Sequence, residues 1–222
     1  MNISPPGELP VERPRLTQGE RTALSDARMC EAAMHLIVES GTHNTTLKEV
    51  GERAGYSRGL ASNRFGSKET LFGFLVRDFN ETWAAELRRF VGKKTGLAAI
   101  EGALDAVEFF LLNRTKQMQA MYILWFESIS SYPLVRRRLA ANHVAYRRDT
   151  ARWLAQAITD NEVRADVDPE SFAVEFSAFI FGLVYQWLAN ASAINLHTVM
   201  RHYRDNTIRT LRNATQPCTA RL

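Results

Sequence analysis

The sequence predicts an all-α protein: an N-terminal helix-turn-helix unit of three helices, joined by a connecting helix to a larger helical domain. Three observations carry this expectation. Apolar residues recur at three- and four-residue spacing along most of the chain, and no segment sustains the two-residue alternation of a strand. Threonine, serine or aspartate stands at the head of several periodic segments, in helix-capping patterns. Residues 45–71, TTLKEVGERAGYSRGLASNRFGSKETL, hold two short helical segments around a glycine turn and open a third after a second glycine.

The 222 residues are 45% hydrophobic and 23% charged, which suits one or two domains with a substantial core. No uninterrupted apolar run approaches the roughly 18–20 residues of a membrane span. The N-terminus lacks the basic, apolar and small-residue segments of a secretory signal. A cytoplasmic protein with no membrane partner is expected. Cys30 sits in an apolar helical pattern and Cys218 in a polar tail, a distribution that suits neither a disulfide framework nor a metal site. The net charge is +4, and acidic and basic residues divide evenly between the two halves of the chain, so global charge does not itself point to a polyanion.

Taken in order, residues 1–16 carry four prolines and no periodicity, which predicts a flexible arm. Helix 1 starts at Thr17–Thr22, with Thr17 and Glu20 in a capping box. Ala23, Ala27, Cys30, Met34 and Ile37 form its inner face, and Gly41 closes it. Thr46 and Glu49 form a second capping box for helix 2, which runs to Ala54. Gly55 makes the turn, and helix 3 runs from Ser57 to Phe65–Gly66. Ser67 caps helix 4, whose inner face is Leu71, Phe72, Leu75, Val76 and Phe79. The helix-turn-helix domain with its connecting helix then spans 17–91. GKKTG at 92–96 marks a boundary. Helices follow at about 97–113, 115–130, 133–160, 169–193 and 197–213, a second domain over 97–213, with a flexible tail at 214–222. Pro133 and Pro169 fit first helical turns, and Asp168 caps the latter.

The segment from 46 to 68 has the parts needed to read double-stranded DNA. A helix-turn-helix lays its second helix in the major groove while the first crosses the backbone. Ser57, Arg58, Gly59, Ser62 and Asn63 give the second helix a small, polar outer face. Gly59, expected inside that helix, suits close approach to a phosphate or a thymine methyl. Arg58 and Arg64 can bond guanine edges or hold phosphates, and Asn63 can pair with adenine. Thr46, at a helix N-terminus, can meet a phosphate. Lys48, Arg53, Arg58, Arg64 and Lys68 against Glu49 and Glu52 make the stretch locally basic. Lys68 opposes the dipole of helix 4, which a neighbouring phosphate would explain.

These residues resemble the DNA-binding domain of tetracycline-repressor (TetR) family regulators. The matching pattern is a threonine-capped helix at Thr46, the Ala54-Gly55 turn, a short helix, then Phe65-Gly66-Ser67-Lys68-Glu69 and Leu71. The resemblance is strong over residues 20–80 and extends further through length and helical layout. It implies that Thr46, Ser57, Arg58, Gly59, Asn63, Arg64 and Lys68 face DNA. One departure stands out. The family's phosphate-contacting tyrosine, three residues before the phenylalanine, is Ser62 here, and Asn63 or Arg64 are the candidates to replace it.

One recognition helix reads only a few base pairs, so a homodimer on a pseudo-palindromic operator is expected. Phe176, Ile180, Leu183, Val184 and Trp187 make helix 169–193 apolar over much of its circumference, and Tyr203 and Ile208 mark the inner face of the last helix. These seven are the candidate dimer residues, and the resemblance implies a four-helix bundle of these two helices. Ordinary intrachain core is the competing reading. Phe109, Met118, Met121, Tyr122, Trp125 and Phe126, with Phe179, are candidates for an adaptable apolar cavity, with Glu127, Asn142, His143 and Tyr146 as polar contacts. The resemblance implies a small-molecule effector there, whose binding releases the operator. No cofactor and no metal are expected: His35, His43, His143, His197 and His202 form no helical ligand pair, and HExxH, GxSxG, CxxC and glycine-rich phosphate loops are absent. The expected function is a DNA-binding transcriptional regulator, a repressor, and not an enzyme. The alternative is an all-helical small-molecule-binding protein or enzyme with an incidental helix-turn-helix.

Overall fold

The computed structural model of the chain describes residues 17–212. The arm predicted over 1–16 and the tail over 214–222, with Cys218, lie outside them. Among the described residues are nine α-helices and no strand. They are α1 (Gln18–Asn44), α2 (Leu47–Arg53), α3 (Leu60–Phe65), α4 (Lys68–Val91), α5 (Gly96–Asn113), α6 (Thr115–Ser128), α7 (Pro133–Thr159), α8 (Pro169–Ala189) and α9 (Leu196–Leu211), with a single 3₁₀ turn at Ala191–Ala193.

The caps form as the sequence requires. Thr17 and Glu20 close one capping box and Thr46 and Glu49 another, each side chain meeting the other residue's backbone amide. Ser67 accepts from the Thr70 amide at 3.1 Å and Asp168 from the Ser171 amide at 2.9 Å. Two boundaries differ by three residues or more: α8, expected to 193, ends at Ala189, and α3 starts late. Gly41 breaks the regular helix of α1 at φ +78°, as expected of a closing glycine, and a short further turn follows it to Asn44. Helix α3 begins at Leu60, three residues later than expected, because Ser57–Gly59 complete the turn. Gly59 is therefore the residue before the helix, not a glycine inside it.

The N-terminal helices bury Met29, Ile37, Val50, Leu71, Phe72 and Leu75. The body buries Leu104, Phe110, Leu111, Met121, Leu124 and Leu154, and both sets belong to one apolar cluster. Cys30 lies in it, and burial pushes its thiol up to about 12, so it is an inert core group. By length and composition α8 is apolar enough to cross a membrane. Glu175, Ser177 and Gln186 interrupt its apolar run. Here α8 packs along α7.

Polar bonds join head and body. Glu127, expected as a ligand contact, instead accepts a hydrogen bond from the buried Thr42 hydroxyl of α1. The Tyr132 hydroxyl lies 3.3 Å from the same Thr42 oxygen, and the Tyr132 ring stands edge-on to Phe72, centroids 5.1 Å apart. Glu69 accepts from the Leu134 amide at the start of α7 (2.7 Å), and Arg138 donates to the Gly73 carbonyl (2.8 Å). Glu69 thus caps a neighbouring helix as well as opening its own.

Candidate nucleic-acid interface and ligand cavity

The two helices of the head approach closely because α2 carries Gly51 at the crossing. A Cβ there would stand 2.9 Å from the Ser57 carbonyl oxygen and 3.7 Å from the Ala61 methyl. Gly55, at φ +80°, supplies the left-handed residue of the turn. The result is a short α3 whose Ala61 and Phe65 are buried while Ser62, Asn63 and Arg64 face outward. Ser57, Arg58 and Gly59 are exposed on the turn just before it, and Thr46 and Lys48 are exposed at the start of α2. Eight of the nine predicted DNA residues therefore lie exposed, at the start of α2, in the turn and on α3, and the ninth, Lys68, is half-buried.

The cations of this stretch are less free than their count suggested. Arg53 forms a two-point bond to Glu39 of α1 at 2.8 and 2.7 Å. Arg58 pairs with Glu52. Arg64 grips Asp26 of α1 through Nε and Nη2, and Asp26 is buried. Arg64 thus straps α3 to α1, which leaves exposed Asn63 as the less encumbered neighbour of Ser62. Lys68 is half-buried and donates to the Thr42 and His43 carbonyls, both at 2.9 Å. The unfavourable dipole end of α4 is tolerated because the C-terminal carbonyls of α1 supply the compensating negative charge. A phosphate is not needed to explain this lysine.

In the body, α4, α5, α6, α7 and α8 line a cavity of about 100 Å³. Met118, Tyr122, Trp125 and Tyr146 line it. An open cleft of about 860 Å³ adjoins it across Tyr122, Trp125 and Phe181, and Phe126 and His143 line that cleft. The remaining candidates lie elsewhere. Phe109 packs on Phe90 under the Arg89 guanidinium. Met121 is fully buried core. Phe179 stacks on Tyr203 with centroids 3.5 Å apart. Of the expected dimer residues, Phe176, Ile180 and Val184 line the cavity. Leu183 is buried beside a cleft between α8 and α9, and Trp187, Tyr203 and Ile208 are half-buried.

Most polar groups of the cavity already have partners. The Tyr122 hydroxyl donates to the Phe181 carbonyl (3.1 Å), Tyr146 to Asn80 (2.5 Å) and Thr150 to the Tyr146 carbonyl (3.1 Å). Burial pushes both phenols up, so they stay protonated at neutral pH. Asp149 pairs with Arg148 and Arg152. Trp125 Nε1 is buried with no hydrogen-bond partner among the described residues. Burial, with a smaller push from Arg147, holds His143 below its ordinary value of 6.5, so the folded protein takes up this proton less readily than the unfolded chain. Its contribution is intact above that pH and is lost as pH falls through and below it. Urea midpoints measured from about pH 7.5 down to about 5.5 should drop more for the wild type than for His143→Phe; parallel curves would contradict this.

Comparison with known proteins agrees with this arrangement. The family model for bacterial regulatory proteins of the tetR family matches residues 30–73, and the tetracyclin repressor-like C-terminal domain matches residues 122–203. The chain belongs to the TetR family. Its relatives include the HTH-type transcriptional regulator BetI of Paraburkholderia phymatum, 29% identical over 123 residues, or 55% of this chain. That match spans 61% of the relative's own length. The HTH-type transcriptional regulator RutR of Escherichia coli K12 is 26% identical over 157 residues, 69% of this chain and 72% of RutR. Two solved structures share the fold. NalD, the secondary repressor of the MexAB-OprM multidrug efflux pump in Pseudomonas aeruginosa, superimposes with a TM-score of 0.70 at 20% identity, covering 87% of this chain and 99% of NalD. The SmeT–triclosan complex gives 0.72 at 20% identity, covering 89% and 97%.

In this TetR-family chain the cavity is also lined by residues outside the expected ligand set. Phe79, Trp83 and Leu87 come from the connecting helix α4, whose apolar positions had been assigned wholly to the head. Trp153 and Phe181 complete the aromatic wall. A signal for Trp83 existed: it stands four residues after Phe79 on the same helical face. Nothing local marked Trp153 or Phe181.

Proposed function

We propose that this protein is a sequence-specific, DNA-binding transcriptional regulator that acts as a homodimer in the cytoplasm. In this reading it represses from a pseudo-palindromic operator, is released by a small, largely apolar molecule, and has no enzymatic role. The observation that carries the proposal is the exposed polar surface of Ser57, Arg58, Ser62 and Asn63 on a turn and short helix held rigidly by Gly51 and the Arg64–Asp26 strap. Such a surface fits the major groove. An aromatic cavity walled in part by α4, the helix that continues from the head, supports the effector. The orphan Trp125 N–H is a donor that a ligand acceptor would satisfy. SmeT was solved with triclosan, which supports an apolar effector for this chain as well.

Selection of bound sites from random DNA is the direct test. An enriched inverted repeat supports the proposal, and absence of binding overturns it. Two substitutions then separate roles. Arg58→Ala should change base preference, costing about 1–3 kcal/mol at particular operator positions. Lys68→Ala should lower the unfolding midpoint as well as DNA affinity, by roughly 1–3 kcal/mol of stability, because two helix-end carbonyls lose their donor. Weaker DNA binding by Lys68→Ala with unchanged stability and a salt slope flattened by about one would restore a direct phosphate role.

A further inference from the structure

We infer that Glu52 is a positioning residue for DNA reading: it orients the Arg58 guanidinium toward one base pair and so sets the base preference there. This rests on the proposed role of Arg58 as a base reader. The three arginines between Gly51 and Phe65 are not equivalent. Arg53 commits both terminal nitrogens to the Glu39 carboxylate, at 2.8 and 2.7 Å. Arg64 commits Nε and Nη2 to buried Asp26 and is a strut between α3 and α1. Arg58 donates only from Nε, to one carboxylate oxygen of Glu52. Its Nη1 and Nη2 have no hydrogen-bond partner among the described residues, and its side chain is 73% exposed. A pair of N–H groups that can bond guanine O6 and N7 side by side is therefore left open on Arg58 alone of the three.

Stability does not account for the Arg58–Glu52 pair. The Glu52 side chain is 40% exposed, and an ion pair between two exposed side chains contributes little. A carboxylate beside the reading surface also repels phosphates, so Glu52 adds no affinity by its own charge. What the pair supplies is orientation. The two residues are six apart in sequence, yet their backbones belong to one bonded turn. The Gly55 amide donates to the Glu52 carbonyl (3.0 Å), the Tyr56 amide to the Gly51 carbonyl (2.9 Å) and the Leu60 amide to the Ser57 carbonyl (3.0 Å). The chain crosses α2 so closely that a Cβ on Gly51 would lie 3.8 Å from the Arg58 carbonyl oxygen. With the backbone fixed at both ends, the bond at Nε restricts rotamers that a lone exposed arginine would lose only on binding. The ordering precedes the DNA, and its benefit falls on the base pair that meets the preset Nη groups.

The test uses a site that the full-length wild type selects from random DNA, and duplexes that change that site one base pair at a time. Arg58→Ala first marks the base pair whose preference it loses. Glu52→Ala should lose about tenfold of the discrimination at that same pair and leave the other positions unchanged. Adding Glu52→Ala to Arg58→Ala should change nothing further there. Glu52→Gln should recover part of the loss, because its amide oxygen still accepts from Nε. Melting of the Glu52 variants should stay close to the wild type, and their affinity for an unrelated duplex should not fall. Full discrimination in Glu52→Ala overturns the inference, as do losses that add in the double variant. Equally tighter binding of Glu52→Ala to every duplex also overturns it, since Glu52 would then be only a like charge opposing phosphate. In these three results Arg58→Ala still shifts the preference, so Arg58 remains a base reader. An Arg58→Ala protein with the wild-type base preference, or a wild type that selects no site, overturns both.

Discussion

Replacing Phe72 by alanine should cost about 3–5 kcal/mol, the range for emptying a fully buried phenylalanine site. Phe72 has no exposed surface and lies on α4 between the head and the body. Its ring meets Tyr132 edge-on at 5.1 Å, and Tyr132 precedes α7 in a left-handed conformation (φ +54°) while its hydroxyl meets Thr42. Relaxation into the void is restricted, since the surrounding Leu71, Leu75 and Val76 are themselves buried and anchored in one helix. Urea unfolding followed by far-ultraviolet circular dichroism measures the loss. A change under about 1 kcal/mol would mean that the site collapses freely and the junction is not rigid. Phe72→Leu should recover roughly half, because most of the apolar volume returns without the aromatic edge contact.

Gly51→Leu should abolish operator binding while leaving the body folded. Its first side-chain atom would fall 2.9 Å from the Ser57 carbonyl oxygen, a backbone group that cannot rotate away. The remaining atoms would have to enter the space between α2 and α3, so the turn carrying Ser57 and Arg58 must move. Overpacking of this kind costs about 1–3 kcal/mol. The functional loss should be larger than the stability loss, since a shift of about 1 Å in the presenting turn removes several contacts together. Filter binding to a selected operator and thermal melting, run side by side, distinguish the effects. Retained affinity would show that the helix crossing tolerates displacement. Gly51→Ala is the milder step and should weaken binding less.

The head shows how local rules and tertiary contacts divide the information. Thr17, Thr46, Ser67 and Asp168 were legible as caps because a cap is completed within three residues of sequence. The exposed polar surface was legible too, because buried Val50, Ala61 and Phe65 set the phase of two short helices. The engagement of Arg64 was not. Asp26 lies 38 residues away, and nothing in the composition of residues 46–68 indicates that a cation there is tied to another helix. The hydrogen bonds of Lys68 were hidden for the same reason: its partners are the carbonyls of Thr42 and His43, 26 and 25 positions earlier. Gly51 passed unnoticed because a glycine in a helix acquires meaning only from the element that approaches it.

In the body, sequence determined the all-helical architecture, the helix ranges within a few residues, and an aromatic-rich core. Tertiary structure decided which aromatics border space. Helix α8 is apolar around most of its circumference, so periodicity cannot say which side meets α7 and which meets solvent. The fold turns Phe176, Ile180 and Val184 toward the cavity and leaves Val174 and Tyr185 outside. Glu127 changed meaning in the same way, from ligand contact to acceptor for the Thr42 hydroxyl. The reason is general to this chain. A cap or a helical phase is set by neighbours a few residues apart, whereas a cavity wall or an ion pair is set by helices whose meeting depends on the packing of the whole.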